Sequence, residues 1–156
     1  MSRREEGAID LTLPVDAPRV LVTGTDRWAT DRAARVLAKS GCEVLRCHDD
    51  DVATGSCYAL EPDRVCPLDS GFDVAVTIRP RPLPRPTISE FGAVCAHRAG
   101  MPVVVAGNTV LNPFAQIAAA VTSEDDLMTT VARVADSVED RAVLDFATVA
   151  PTTELR

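Results

Sequence analysis

The chain of 156 residues carries 16 basic and 23 acidic side chains, a net charge of −7 and 46% apolar residues, enough to build one core in a domain of ordinary size. A pI near 4.8 is the wrong sign for a surface that binds by neutralising phosphates, which argues against general nucleic-acid binding. The longest apolar runs, Val103 to Ala106 and Ile117 to Val121, fall far short of the ~18–20 residues of a membrane helix. Met1 to Gly7 also lacks the apolar core of a secretory signal, so no membrane association and a cytoplasmic location are expected.

Residues 1–18 mix charges with Pro14 and Pro18 and read as an arm, with Ile9 to Leu13 alternating as a short edge strand would. Arg19 to Gly24 is a compact apolar run closed by glycine, the pattern of a buried parallel strand. From Thr25 or Asp26 to Ser40, Ala29, Ala33, Val36 and Leu37 recur at helical spacing, charged residues take the other face, and Gly41 supplies a stop. Cys42 to Cys47 follows as a second strand and leads into the acidic loop Asp49-Asp50-Asp51. Val52 to Gly71 shows no clean periodicity where a doubly wound domain would place a helix.

Asp73 to Ile78 predicts the third strand. Arg79 to Pro86, with proline at every second position, predicts an extended loop. Thr87-Ile88-Ser89-Glu90 has capping-box spacing and opens a helix running to Ala99, stopped by Gly100. Met101 to Gly107 reads as a fourth strand, buried on both faces. Residues 116–121 are expected as a fifth buried strand, although a short apolar run is also compatible with helix. Ser123 and Asp126 mark another helix start, with Leu127, Val131, Val134 and Val138 as its stripe, and 142–156 reads as a tail. One α/β domain over 19–141 is therefore expected, a mostly parallel five-stranded sheet of flavodoxin-like order 2-1-3-4-5 with helices on both faces.

This element order resembles the CheY-like receiver domains of two-component signalling. The resemblance implies acidic residues after strand one, a phosphoacceptor aspartate ending strand three, Thr or Ser after strand four and Lys after strand five. The matching positions here read Asp26, Thr77-Ile78-Arg79, Ala106-Gly107 and Val121-Thr122-Ser123, and the one lysine is Lys39. The resemblance thus implies a receiver-like fold without aspartyl phosphate and without a clustered-carboxylate Mg²⁺ site.

In such sheets ligands lie beyond the carboxyl ends of the strands, near the switch between strands one and three. Thr23, Gly24, Thr25 and Asp26 would form a strand-to-helix turn able to meet an anion, although a lone glycine followed by an acid lacks any phosphate-loop pattern. Arg79, Arg81 and Arg85 offer anion contacts from the same edge, and solvated pairing with the acidic loop is the plainer account. Trp28, off the apolar stripe of its helix, is a candidate lid or interface anchor, and a protein partner or homodimer is expected.

None of the five cysteines pairs with another at CxxC spacing. Cys47, Cys57 and Cys66 flank the irregular crossover and can be brought together by one loop. Three readings stay open: packed thiols, a metal site, or a reversible Cys57–Cys66 disulfide. Zinc would take His48 as fourth ligand. An iron–sulfur centre would need Cys95 or an external ligand, yet Cys95 and His97 sit inside the third-strand-to-fourth-strand helix, on the expectation away from the rim. Cys42 reads as packing. Adjacent Cys47 and His48 on a strand would point to opposite faces and form no dyad. With no nucleophile elbow and no zinc-helix motif, no catalytic residue is assigned. A non-enzymatic regulatory or interaction module is the leading expectation, a metal or thiol-redox protein the second, and an enzyme for a phosphorylated or nucleotide ligand the third.

Overall fold

The computed structural model describes residues 17–48 and 57–147, the stretch 139–147 through its backbone alone. The expected edge strand at Ile9 to Leu13, the acidic loop Asp49-Asp50-Asp51 and the chain beyond Ala147 lie outside the described residues. Five parallel strands pair in the order β2-β1-β3-β4-β5. They are β1 (Arg19–Gly24), β2 (Glu43–Leu45), β3 (Val74–Arg79), β4 (Val103–Gly107) and β5 (Ala120–Thr122). The predicted sheet and its order are those observed.

The three central strands are buried on both faces, as continuous apolar runs require. On one face Val20, Val22, Val74, Val76, Ile78, Val104 and Ala106 meet α1 (Arg27–Lys39) and α4 (Leu127–Ala147). On the other, Leu21, Ala75, Val103 and Val105 meet α3 (Phe91–Arg98), Phe72 and Phe114. Asp26 caps α1, its Oδ1 accepting from the Ala29 amide at 3.0 Å, which satisfies one orphan donor of the first turn. The buried stripe of α1 is Ala29, Thr30, Ala33 and Leu37. Val36, expected on that stripe, is exposed, because at ~100° per residue it falls just outside the arc that runs from Ala29 through Ala33 and Leu37 to Thr30. No helix among the described residues is long and apolar enough to cross a membrane.

Three departures from the expected elements shape the molecule. β2 ends at Leu45, opposite Leu21, rather than at Cys47; β1 continues to Gly24 paired with β3 alone, and the chain beyond Leu45 turns away, with the Cys47 carbonyl accepting from the Tyr58 amide instead of continuing the ladder. Among the described residues the β2-to-β3 crossover holds a 3₁₀ turn at Tyr58–Leu60 and a single helical turn, α2 (Pro67–Ser70). The fifth strand is three residues at Ala120–Thr122, half-exposed rather than buried. Residues 116–119 instead belong to a loop fastened by Phe114, whose ring is buried and whose carbonyl accepts from the amides of Ile117 and Ala118. The final helix continues through Ala147, past the expected limit at 141.

Candidate functional site

Between the 57–70 segment and α3, over buried Leu21 on β1, a pocket opens. Its empty volume, counting the solvent at its mouth, is about 510 Å³. Cys47, Cys57, Cys66 and Cys95 all line it, with Leu21, Pro67, Leu68, Ile88 and Phe91 as apolar walls and His48 at the edge. All five cysteines are free thiols; of the four in the pocket, Cys47 and Cys66 are half-buried and Cys57 and Cys95 exposed.

Each thiol arrives by a different route. Cys47 lies just beyond β2, where its carbonyl accepts from the Tyr58 amide at 2.9 Å, tying the returning crossover to the end of the strand. Cys57 precedes the 3₁₀ turn, and Cys66 precedes Pro67 at the start of α2. Cys95 sits in α3 one turn after Gly92, and residues three apart share a helix face. A Cβ at Gly92 would come within 2.8 Å of Cys47 Sγ and of Thr23 Cγ2. The missing side chain therefore makes room for the Cys47 sulfur under α3.

Two sequence expectations are corrected here. Cys95 belongs to the thiol group and not to a distant face, and the Gly92-to-Cys95 spacing was the signal that could have found it. Cys47 and His48 do not point apart, because the strand has already ended; Cys47 Sγ lies 3.4 Å from His48 Nδ1. His97 is exposed on α3. Cys42 is packed in the opposite core, its Sγ 3.8 Å from Met128 Sδ.

Burial pushes the Cys47 thiol up to about 11, and like charge at Cys57, Cys95 and Cys66 adds to the rise. A nucleophilic cysteine needs the opposite shift. Because the folded value exceeds the ordinary ~8.5 of a thiol, Cys47 stabilises the fold fully below that pH, and the contribution is lost as pH rises through the folded value. In metal-free protein at pH 8, Cys47 is expected to alkylate at least ~10-fold more slowly than Cys57, with the gap closing toward pH 11. Peptide mapping after timed iodoacetamide treatment measures both rates, and equal rates would show that Cys47 is not held as the thiol.

The anion-edge candidates lie elsewhere and are largely engaged with one another. Thr23 is buried and its hydroxyl donates to the Val76 carbonyl at 3.1 Å. Gly24 is packed against Thr30 and Ile78, and the Thr25 amide donates to the Ile78 carbonyl. Asp26 Oδ2 accepts from exposed Arg81 at 3.2 Å. Arg85 is exposed, whereas Arg79 is completely buried. Its Nη1 meets both carboxylate oxygens of Glu90, at 2.5 and 2.6 Å, and its Nη2 donates to the Leu83 carbonyl at 2.6 Å. Sequence reasoning read Glu90 as a helix cap; it is that, accepting from the Thr87 amide at 2.9 Å, and also the buried partner of Arg79. Trp28 is 78% exposed.

Among the described residues, no group of three or more His, Cys, Asp or Glu side chains is placed to hold a single metal ion. No family model, curated protein or solved structure matches the chain.

Proposed function

We propose that the chain is a non-enzymatic regulatory module in which a receiver-like sheet carries a metal–thiolate centre on Cys47, Cys57, Cys66 and Cys95. The observation that carries this reading is the convergence of four thiols, from four separate segments, on one otherwise apolar pocket. Packing alone does not account for it, since two of the four are exposed and an exposed thiol gains little from burial. Thiolate ligation gives such residues a role, and it fastens the 57–70 segment, whose Leu60 and Val65 stay exposed.

One observation supports regulation over chemistry on a phosphorylated ligand. At the edge where a receiver-like sheet would bind phosphate, Arg79 is engaged by Glu90 and Arg81 by Asp26, so a phosphorylated ligand would displace existing pairs. Exposed Trp28 supports the accompanying expectation of a protein partner or second copy that reads the state of the centre.

Protein purified anaerobically without a polyhistidine tag is expected to carry near-stoichiometric zinc or iron. Cys47, Cys57, Cys66 and Cys95 should resist thiol reagents until a chelator is added. Metal-free protein in which all five thiols react after denaturation would overturn the reading in favour of packing. A Cys57–Cys66 bridge leaving the other cysteines free would overturn it in favour of thiol redox chemistry.

A further inference from the structure

We infer that the centre is a [4Fe–4S] cluster and not a single metal ion, an inference that rests on the thiolate-centre reading above. Zinc binds sulfur at about 2.3 Å, so two sulfurs on one zinc lie within ~4.6 Å of each other. The four thiols surround one pocket, yet no three ligands among the described residues are placed for one ion. Ligands that share a cavity without meeting at a point suit a polynuclear guest, whose metal atoms lie outward from its centre. Four cysteines are also the ligand set of a cubane cluster.

The walls agree with that guest. Leu21, Pro67, Leu68, Ile88 and Phe91 face the pocket, and an apolar shell limits the access of water to bound sulfide and shapes the centre's potential. Gly92 contributes no side chain, and the space it leaves is where the Cys47 sulfur lies against α3. The ligands span the end of β2, both ends of the 57–66 segment and the middle of α3. A bound cluster would therefore tie the end of β2 and the 57–66 segment to α3 above Leu21.

Delivery from a preformed cluster complexed by four small thiolates needs no oxidant or reductant. Four iron–thiolate bonds to the small ligands break, four iron–cysteine bonds form, and each cysteine's proton leaves with a departing thiolate as free thiol. The metal-free full-length chain is given the synthetic 2-mercaptoethanol [4Fe–4S] complex anaerobically, with one equivalent of zinc present, and then gel-filtered. The expected result is about four irons and four acid-labile sulfides per chain, with sulfur-to-iron charge-transfer absorption and masked Cys47, Cys57, Cys66 and Cys95.

Cys95→Ala, on an exposed position of a helix where alanine is favourable, is expected to retain less than half of that iron while keeping the wild-type circular dichroism. Cys42→Ala, outside the pocket, is expected to retain all of it. Retention of one zinc per chain with no iron–sulfide overturns the cluster and leaves the thiolate centre standing. Retention of neither metal, with all thiols reactive, overturns both. Equal cluster loading by wild type and Cys95→Ala overturns the four-cysteine assignment.

Discussion

Replacing Arg79 with alanine is expected to remove about 3–5 kcal/mol of stability, because it strands a buried carboxylate. Both side chains are shut away, Arg79 at 1% and Glu90 at 0% exposure. Thr77 Oγ1 also donates to Glu90 Oε1 at 2.8 Å, and the guanidinium lies 5.6 Å from the centroid of Phe114. The pair therefore joins β3, the start of α3, the proline-rich loop through the Leu83 carbonyl, and the loop ahead of β5. For a domain whose net stability is about 5–15 kcal/mol, that loss approaches unfolding.

Arg79→Lys is not expected to rescue it, since an ammonium cannot reproduce the fork that spans Glu90 and Leu83. The double variant Arg79→Met with Glu90→Leu is expected to recover more than half of the loss, because it removes both charges and keeps the volume. Urea denaturation at constant m reads all three. A single Arg79→Ala variant within ~1 kcal/mol of wild type would show that the carboxylate finds water or another partner.

Gly107→Ala is expected to be the most damaging single methyl addition. Gly107 ends β4 at φ +111°, a conformation that L residues rarely adopt. A Cβ there would lie 2.5 Å from the Arg79 carbonyl oxygen and 2.9 Å from its carbon. The obstacle is backbone, held by the β3–β4 register that pairs Arg79 with Gly107 and by the Asn108 amide donating to the Arg79 carbonyl at 2.6 Å.

Adding backbone strain of ~1–3 kcal/mol to overpacking of ~1–3 kcal/mol gives an expected loss of about 2–6 kcal/mol. Gly100→Ala provides the comparison, since Gly100 has φ +78° with nothing within 4 Å of the added carbon, and only the strain applies. If the two variants melt at the same temperature, β4 yields at its end and the steric part of the argument is wrong.

The thiol site was half-legible. Cys47, Cys57 and Cys66 could be grouped because they flank a crossover with no helical period, and one irregular loop can fold its own cysteines together. Cys95 was misplaced because its helix was read alone. That helix's position over β1, with Gly92 against Cys47 and Thr23, is set by packing between distant segments, and no window of sequence contains that information.

The strands β1, β3 and β4 were determined by local sequence, because a strand buried on both faces needs an unbroken apolar run that few other structures tolerate. Helix α1 and the start of α3 were determined likewise, since Asp26 and Glu90 satisfy backbone amides within three residues of themselves. The sheet order followed from the alternation of elements and the handedness of parallel crossovers. Tertiary structure alone decided that Arg79, an arginine in a row of exposed arginines, would be buried. A charge can leave water only if a partner is brought to it, and Glu90 reaches it through the packing of α3 on β3, not through any local rule. The same holds for the pocket: four sulfurs become one site only after β2 has ended at Leu45 and the 57–70 segment and α3 have packed on either side of the pocket that Leu21 lines.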